Sequence, residues 1–332
     1  MNFLITGGAG FIGSHLAERL LADGHRVTAL DNFSGGDQKN ITGLLDNNNF
    51  RCVEGDILDS EALEELIARA EGIFHLAAIV GVKQVAEKPL AMMRTNLSGS
   101  ERVFRIASQY GRKVVFTSSS EVYGKALNTQ SGGRLHEAGD LLIGSTDKRR
   151  WGYASSKLAA EHLAVAFYET EALPVVITRL FNTVGPRQSG KYGMVIPKFV
   201  ERALKNEPLP VFGDGSSLRS FTHVSDTVAG LIQLMECKQA NGQVYNLGNY
   251  GEISIGDLAG QIIEMTGSSS TVEYGAEEDA KDSREEEDPR RRVPDLTRIT
   301  EAVGYYPRYT LGDIISEIVS YYTSAGYDAS KF

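Results

Sequence analysis

Three features of this 332-residue sequence predict an α/β fold built on a parallel sheet. Short apolar runs, long enough for buried strands, alternate with segments of helical apolar spacing through the first half of the chain. The first run, residues 3–5, leads into a glycine-rich turn and then into a helix. Acidic and hydroxyl-bearing residues follow several predicted strands, at the sheet edge where ligands of such folds bind. We therefore expect a Rossmann-type, doubly wound parallel sheet with a smaller C-terminal lobe that binds substrate.

The glycine-rich turn spans residues 6–13 and can be aligned as Gly8-x-Gly10-x-x-Gly13 or as Gly7-x-x-Gly10-x-x-Gly13. Because glycine lacks a Cβ atom, the backbone can turn sharply and approach a pyrophosphate closely. The helix that follows offers free N–H groups and the positive end of its dipole to the phosphates. We expect a dinucleotide here, held by Gly7, Gly10, Phe11, Ile12 and Gly13.

An acidic residue after the second predicted strand, residues 25–30, indicates which dinucleotide binds. Asp31 lies 18 residues after Gly13 and is followed by Asn32. A carboxylate at this place can accept hydrogen bonds from both hydroxyls of an adenosine ribose, and it would repel a 2′-phosphate. The sequence therefore predicts NAD rather than NADP as the cofactor.

Later strands and one long helix extend the predicted cofactor site. After the third predicted strand, residues 50–57, Asp56 can meet the amino group of adenine and Ile57 can lie on the face of its ring. The fourth strand ends in small residues that allow a cofactor to approach the backbone. A long helix is predicted over about residues 89–110. The remaining residues assigned to NAD are Asn32, Leu76, Ala77, Ala78 and Asn96.

Composition and charge exclude several classes of partner. The net charge of −9, with both signs spread along the chain, argues against a surface that binds nucleic acid. The two cysteines, Cys52 and Cys237, lie far apart and match no metal-ligand spacing, so neither a metal site nor a disulfide framework is expected. No cleavable signal and no apolar run long enough to cross a bilayer is visible, so we expect a cytoplasmic protein without a membrane partner.

The signal for catalysis follows the fifth predicted strand, residues 113–117. Hydroxyls at residues 118–120 and the acid Glu121 lie beyond it, and further on Tyr153 and Lys157 share one helix face at i,i+4 spacing. The lysine ammonium favours the phenolate, and a positively charged nicotinamide would act in the same direction. Together they would lower the pKa of Tyr153 from its usual value of about 10 toward neutrality. Such a phenolate can take a proton from a sugar hydroxyl.

The glycine turn, Asp31, the turn at Ser119 and the Tyr153-x-x-x-Lys157 motif together resemble the extended short-chain dehydrogenase/reductase family over nearly the whole chain. More narrowly, they resemble its NAD-dependent nucleotide-sugar epimerases, dehydratases and decarboxylases. The resemblance implies that Tyr153 is the base, that Lys157 binds the nicotinamide ribose and tunes Tyr153, and that Ser119 hydrogen-bonds the reacting hydroxyl. It also implies a tightly held NAD that takes a hydride from the sugar and returns it.

The second half of the chain is expected to bind the UDP-sugar. Residues 181–332 would form mainly a substrate lobe, partly interleaved with an NAD-binding domain of residues 1–180. By the resemblance, Asn182 contacts the sugar diphosphate. Arg219 is a candidate to clamp the phosphates, since a guanidinium can bind two phosphate oxygens at once. Arg292, in an Arg-x-Pro-Asp pattern, would reach the diphosphate or the sugar.

Several helix positions and an assembly are predicted as well. Asp59 and Asp226 are interpreted as N-caps of the helices that follow them. Residues 311–322 have the spacing of an amphipathic helix. The family resemblance also implies a homodimer, formed through the helices near residues 90–110 and 150–170.

The residues that distinguish possible reactions point in two directions. Ser119-Ser120-Glu121 and Lys148-x-Arg150-Trp151-x-Tyr153 resemble uronate decarboxylases, and Ser120 replaces the aspartate found in dehydratases. Residues 185–193 instead resemble UDP-hexose and UDP-uronate 4-epimerases. By the resemblance to the uronate epimerases, Lys191 would hold the C6 carboxylate of the sugar. The preferred interpretation is an NAD-dependent UDP-sugar 4-epimerase that acts through a transient 4-keto intermediate. Its favoured substrate pair is UDP-glucuronate/UDP-galacturonate, followed by UDP-glucose/UDP-galactose.

A UDP-glucuronate decarboxylase is the close alternative to the epimerase. A 4,6-dehydratase and a non-catalytic, nucleotide-sensing regulator on the same fold are less favoured, the latter because a sensor needs no tuned phenol. The residues assigned to catalysis are Tyr153, Lys157, Ser119 and Glu121. Those assigned to the substrate are Ser120, Asn182, Arg187, Lys191, Arg219 and Arg292.

Overall fold

The computed structural model describes residues 1–126, 133–190, 194–275 and 290–324. Its strands are β1 (Asn2–Thr6), β2 (Arg26–Asp31), β3 (Phe50–Glu54), β4 (Gly72–His75), β5 (Lys113–Ser119), β6 (Val175–Leu180), β7 (Thr183–Val184), β8 (Leu209–Val211), β9 (Leu218–Arg219), β10 (Thr222–His223), β11 (Val244–Leu247), β12 (Ile253–Ser254), β13 (Val272–Tyr274) and β14 (Arg291–Arg292). Its α-helices are α1 (Phe11–Ala22), α2 (Ala62–Arg69), α3 (Val82–Glu87), α4 (Pro89–Met93), α5 (Ser100–Gln109), α6 (Arg150–Glu171), α7 (Val195–Leu204), α8 (Val224–Glu236), α9 (Ile255–Thr266), α10 (Thr297–Val303) and α11 (Leu311–Thr323).

The centre of the fold is a seven-stranded sheet with the order β3-β2-β1-β4-β5-β6-β11. All of its neighbouring strands run parallel. The chain builds outward from β1 to β3 in one direction and then from β4 to β6 in the other, so the order reverses between β1 and β4. A crevice opens at such a reversal, beyond the carboxyl ends of the strands. The predicted Rossmann-type fold is confirmed.

Helices cover both faces of this sheet because its strands are apolar on both sides. In β1, Phe3 and Ile5 belong to one buried core, together with residues of α1 and α8. Leu4 belongs to a second core on the opposite face, together with residues of α2, α5 and α6. Successive side chains of a strand point to opposite faces, so a continuous apolar run can supply both cores.

A smaller lobe has its own core, in which α7, α9 and α11 pack with β8. Its short sheets pair β13 with β8 and place β9 between β12 and β14. The two halves of the chain are nevertheless interleaved, because β11 completes the central sheet and α8 packs on α1. The division at residue 180 therefore stays a prediction, because residues from both sides of it share one core of the central sheet.

The N-cap prediction for Asp226 is wrong. Helix α8 begins earlier, and the ring of His223 caps it by accepting a hydrogen bond from the backbone N–H of Ser225 at 3.1 Å. Asp226 is buried and accepts hydrogen bonds from the backbone N–H groups of Arg308, at 3.0 Å, and Tyr309, at 3.2 Å. Its carboxylate thus satisfies two donors of a distant segment, which the sequence around it could not reveal.

Two other helix predictions are also corrected. Asp59 does not cap α2, since that helix follows Glu61 and has no side-chain cap. The long helix expected over residues 89–110 is divided, because a π-helical segment at Arg94–Gly99 separates α4 from α5. Such wide turns insert a residue into an α-helix and often occur beside functional sites.

Candidate active site

A cleft of about 1840 Å³ lies at the carboxyl ends of the central strands, between the sheet and the smaller lobe. Every described residue that the sequence analysis assigned to the cofactor, the chemistry or the substrate lines this cleft, with the exception of Asn96. Lys191 lies outside the described residues. The topology therefore brings together side chains that are far apart in the sequence, while their individual roles toward a ligand stay predictions.

The glycine turn sits at the reversal between β1 and β4 and is tightly packed. Gly7 has a φ of +73°, and a Cβ atom on it would lie 2.9 Å from the backbone nitrogen of Ala77. A Cβ atom on Gly13 would lie 2.2 Å from the carbonyl oxygen of Gly7. Helix α1 starts after Gly10 without any side-chain cap, and Phe11, Ile12 and Gly13 of its first turn line the cleft, as a bound pyrophosphate would require.

Asp31 is held in place at the end of β2, where it is only 7 % exposed. Its carboxylate accepts hydrogen bonds from the backbone N–H groups of Ala9 and Phe33, each at 2.8 Å. Burial raises the pKa of Asp31, and these backbone hydrogen bonds oppose the rise. A Cβ atom on Gly36 would lie 3.0 Å from both carboxylate oxygens, so the absence of a side chain there leaves room beside them. The arrangement fits the two hydroxyls of a ribose.

The expected adenine end of the cleft combines a polar and an apolar wall. The Asn32 amide donates to the Asp56 carboxylate at 2.6 Å, and Asp56 also accepts from the backbone N–H of Leu58 at 2.9 Å. Ile57 packs against the backbone of Gly99. A Cβ atom on Gly99 would lie 2.5 Å from the terminal methyl carbon of Ile57. The residues present thus fit an NAD molecule along the whole edge from β2 to β4.

Asn96 is not among the residues that line the cleft, and its assignment to the cofactor stays a prediction. It is fully buried in the π-helical segment and binds both backbone groups of Ile79, accepting at 2.8 Å and donating at 3.1 Å. It also donates to the Ser156 hydroxyl at 3.3 Å. Because Ile79 follows the cleft-lining Ala77 and Ala78, Asn96 fixes the wall of the cofactor site from behind.

Tyr153 and Lys157 face the end of β5 from the first two turns of α6. Tyr153 shares a hydrogen bond with the Ser119 hydroxyl. The ammonium group of Lys157 donates to the carbonyl oxygen of Thr117 at 2.9 Å. Ser119 in turn accepts from the backbone N–H of Glu121 at 3.2 Å, which fixes the orientation of its hydroxyl. A phenol, a hydroxyl and an ammonium group therefore meet at the place where a nicotinamide and a sugar would lie.

The protein alone does not lower the pKa of Tyr153 as the sequence analysis expected. Burial raises the pKa of this phenol above its usual range; the hydrogen bond with Ser119 opposes the rise and the nearby Glu121 charge adds to it. Burial also lowers the pKa of Lys157 to about 7, against the opposing charge of Glu161. A cationic nicotinamide would therefore have to supply the field that makes Tyr153 a base near neutral pH.

A charged cluster lies next to Tyr153, where the sugar is expected. The Glu121 carboxylate forms a close ion pair with Arg292 and lies 3.7 Å from the guanidinium of Arg150. Arg150 stacks over the Trp151 ring, 4.7 Å from its centroid. Sequence reasoning found Glu121 and Arg292 separately but not their contact, and it had noted Arg150 only as part of a family pattern.

The other predicted substrate residues fall at two places. Arg219 is buried and lies beside Arg292 in the pairing of β9 with β14. Asn182 donates to the backbone carbonyl of Ser220 at 2.9 Å. Arg187 instead lies toward the cofactor side of the cleft.

Arg187 links the smaller lobe to the cofactor-binding half. It pairs with Glu18 of α1 at 2.5 Å and donates to the backbone carbonyl of Asn40 at 3.2 Å. Its backbone is in the left-handed region, with a φ of +69°. Arg187 also lines the cleft, and its assignment to the substrate stays a prediction.

Two negative predictions concern metals and membranes. Among the described residues, no group of three or more His, Cys, Asp or Glu side chains could hold a metal ion. Across the same parts of the chain, none of the helices is both long enough and apolar enough to span a bilayer. Cys52 and Cys237 are both free thiols.

Curated relatives of this chain include two decarboxylases. A UDP-N-acetyl-α-D-glucosaminuronate decarboxylase from Bacillus cytotoxicus is 40 % identical over 323 residues, covering 96 % of this chain and 97 % of the relative. UDP-glucuronic acid decarboxylase 4 from Arabidopsis thaliana is 34 % identical over 313 residues, covering 94 % of this chain and 66 % of the relative.

Solved structures that resemble this fold include two epimerases. A UDP-glucuronic acid 4-epimerase from Bacillus cereus, in complex with UDP-glucuronic acid and NAD, superposes with a TM-score of 0.85 at 27 % identity, covering 97 % of this chain and 98 % of that one. A UDP-glucose 4-epimerase from Thermotoga maritima with UDP-glucose gives 0.84 at 29 % identity, with the same coverage of 97 % and 98 %.

The family evidence agrees with the geometry of the cleft. The model of the NAD dependent epimerase/dehydratase family matches residues 3–248, which include the glycine turn, Asp31, Tyr153 and Lys157. The turn and the pocket beside Asp31 fit the cofactor named in that description. The chain is therefore an NAD-dependent enzyme that belongs to the epimerase/dehydratase family.

Proposed function

We propose that this enzyme removes the C6 carboxyl group of a UDP-linked hexuronate, as a UDP-uronate decarboxylase. The observation that carries the proposal is the position of Glu121. Its carboxylate lies between Arg292 and Arg150, and its charge raises the pKa of Tyr153. The names of the curated relatives support the same reaction. The 4-epimerase preferred from the sequence becomes the second candidate.

The first half of the reaction is common to both candidates and uses Tyr153. In this proposal, Tyr153 takes the proton of the C4 hydroxyl while Ser119 hydrogen-bonds the same oxygen. Lys157 binds the nicotinamide ribose and favours the phenolate by its charge. NAD, when bound, supplies the capacity to accept the C4 hydrogen as hydride and to return it later.

The second half depends on how a C4 ketone affects the neighbouring carboxylate. A 4-keto uronate is a β-keto acid, so loss of carbon dioxide breaks the C5–C6 bond and leaves its electron pair in an enolate that ends on the C4 oxygen. Tyr153, now protonated, and Ser119 can both donate hydrogen bonds to that oxygen. Preorganised donors at a developing oxyanion are among the strongest catalytic contributions.

The charged cluster suits release of a carboxylate better than its retention. A carboxylate that leaves as neutral carbon dioxide loses its charge in the transition state, so tight binding of that charge would slow the step. Glu121 neutralises part of the positive charge of Arg292 and places a like charge nearby. Arg150 and Arg292 can thus attract the substrate carboxylate. They do not hold it tightly, because Glu121 offsets part of their positive charge.

The diphosphate of the substrate would lie on the smaller lobe. Arg219 and Arg292 are neighbours in the paired strands β9 and β14, and both line the cleft. Two guanidinium groups side by side suit a diphosphate, since each can donate to two oxygens. We assign this role mainly to Arg219, because the charge of Arg292 is shared with Glu121.

The 4-epimerase remains a candidate because of the overall similarity to the Bacillus cereus enzyme and because of the stretch at residues 185–188. In an epimerase the 4-keto sugar would turn over in the cleft and accept the hydride on its other face. The carboxylate would then have to be retained, which favours a dedicated cation such as Lys191.

Product analysis separates the two candidates. The purified enzyme is incubated with UDP-glucuronate and, in parallel, with UDP-N-acetylglucosaminuronate, each labelled at C6, and products are identified by proton NMR. Release of labelled carbon dioxide in step with a UDP-pentose supports the proposal. A UDP-hexuronate inverted at C4 with the label retained refutes it in favour of the epimerase.

Variants assign the steps. Tyr153→Phe should abolish both carbon dioxide release and hydride transfer from C4 to NAD. Glu121→Gln should slow carbon dioxide release by about 5- to 30-fold, the size of a lost electrostatic contribution of about 1–2 kcal/mol, while hydride transfer from C4 continues. If Glu121→Gln slows both processes equally, Glu121 acts before the carboxyl group leaves.

We also propose a homodimer. A depression of about 600 Å³ on the outer surface is lined by Leu97, Ser98, Glu101, Ala159, His162 and Leu163. These residues come from the two helical regions that the family resemblance assigns to dimerisation. Sedimentation velocity of the wild type and of Leu163→Glu tests it, because a charge in an apolar contact between copies should produce monomers.

A further inference from the structure

Helix α6 contacts the end of β5 at three points, and the catalytic residues account for only two of them. The helix uses three side chains spaced four residues apart, so all three lie on one face. Each reaches a different one of the last three residues of the strand. The contacts are Tyr153 with Ser119, Lys157 with the Thr117 carbonyl, and Glu161 with Ser118.

The third contact is a buried carboxylate with a full set of partners. Glu161 is 4 % exposed and accepts a hydrogen bond of 2.5 Å from the Ser118 hydroxyl. The guanidinium of Arg179 donates to its two oxygens at 2.8, 3.1 and 3.2 Å. Arg179 lies on β6, directly beside Ser118 in the parallel pairing of β5 with β6.

Glu161 lies one helical turn beyond Lys157 on the same face of α6, and the two side chains contact successive residues of β5. The charge of Glu161 opposes the burial that lowers the pKa of Lys157 to about 7. His75 on β4 adds no competing positive charge, because burial lowers its own pKa to about 3 and leaves it neutral. The charged and titratable groups around the pair are Tyr153 on α6, Arg179 on β6, His75 on β4, and Tyr123, Glu121 and Glu137 from the loops between them.

We propose that Glu161 is a positioning residue for the reaction, which keeps Lys157 cationic and holds the end of β5 against α6. Arg179 takes part by donating hydrogen bonds to both carboxylate oxygens, which fixes the orientation of Glu161. The inference rests on the proposed roles of Tyr153 and Lys157. If the ion pair were purely structural, removing both of its charges would leave the pKa of Lys157 unchanged.

The direct test is an NMR titration of Lys157 in the protein without substrate or cofactor. The side-chain signals of carbon-13-labelled lysine are followed across pH, and the Lys157 signal is assigned with Lys157→Arg. Glu161→Gln keeps the size of the side chain and an acceptor for Ser118 but removes the charge. We expect the titration midpoint of Lys157 to fall by about one pH unit or more, the range of a nearby opposite charge.

Two further variants separate charge from folding. Glu169→Gln makes the same chemical change on an exposed part of α6 and should leave the midpoint unchanged. Glu161→Leu combined with Arg179→Met removes both charges, and apolar replacement of a buried ion pair often preserves stability. The midpoint should stay below that of the wild type in this double variant. A midpoint at or above the wild-type value in Glu161→Gln or in the double variant would overturn the proposal.

Activity provides a second readout that moves in a stated direction. The alkaline limb of the pH profile of kcat/KM should shift to lower pH in Glu161→Gln, because Lys157 loses its proton earlier. Absence of turnover of UDP-uronates by the wild type would refute the proposed function but would leave the NMR result as a separate test of Glu161.

Discussion

Replacing Gly13 by alanine tests whether the glycine turn holds NAD. The new Cβ atom would lie 2.2 Å from the carbonyl oxygen of Gly7 and 2.9 Å from the Cα atom of Gly8, whereas ordinary contact begins at 3.4 Å. Both obstructing groups belong to the backbone, so they cannot rotate away as a flexible side chain could. The turn must open, and the N–H groups at the start of α1 must move with it.

The expected loss of affinity follows from this displacement. Inserting a methyl group into a closely packed site costs about 1–3 kcal/mol. Because NAD needs the undistorted turn, the strain has to be overcome on binding and appears as weaker affinity. At 1.4 kcal/mol for each factor of ten, NAD should bind about 5- to 150-fold more weakly to Gly13→Ala than to the wild type.

The assay is calorimetric titration of NAD into protein freed of bound nucleotide. Gly43→Ala is the matched control, because a Cβ atom there would meet nothing within 4 Å and the backbone is not in the left-handed region. It should bind NAD within about twofold of the wild type, a difference below 0.5 kcal/mol. Equal dissociation constants for Gly13→Ala and Gly43→Ala would refute the reasoning.

Two further predictions concern charged side chains at opposite ends of the cleft. Arg187→Ala removes the ion pair with Glu18 and the hydrogen bond to the Asn40 carbonyl. NAD should then dissociate about fivefold faster, as expected for one lost interaction of about 1 kcal/mol. An unchanged NAD dissociation rate in a chase experiment would contradict a role of these contacts in holding the cofactor. Lys157→Met tests linkage between protonation and folding. The pKa of Lys157 is lowered from its usual 10.5 to about 7, so between these values the unfolded chain binds more protons than the folded protein. The wild-type free energy of unfolding should therefore fall as pH decreases from 10.5 toward 7, and that of Lys157→Met should fall less; parallel curves in chemical denaturation would contradict this.

The cofactor side of the site was largely predictable because its signals are local. The glycine turn needs a left-handed backbone conformation at Gly7 and the absence of a Cβ atom at Gly13, and both requirements arise within a few residues. Asp31 follows its strand directly. The contacts of Asn96 were not predictable, because they depend on a π-helical segment and on a distant loop, neither of which has a signal in the apolar spacing.

The sugar side was less predictable because its contacts join distant segments. Glu121 and Arg292 are 171 positions apart, and nothing near either residue indicates that they form an ion pair. Arg187 was assigned to the substrate from its neighbours along the chain, but Glu18 binds it from the other half of the protein. The same limit affected Asp226, whose partners belong to a later segment.

The sequence by itself determined the fold class and the cofactor, and it predicted Tyr153 and Lys157 as a catalytic pair on one helix face. These features rest on short-range physics: backbone freedom at glycines, the two-residue and 3.6-residue repeats, and the i,i+4 spacing of Tyr153 and Lys157. The tertiary structure alone decided how those groups are charged and which of them meet. Burial raises the pKa of Tyr153, and a carboxylate four residues beyond Lys157 gains Arg179 only when β6 is in place. Desolvation and long-range ion pairs are properties of the packed molecule, so they can be derived only once the chain has folded.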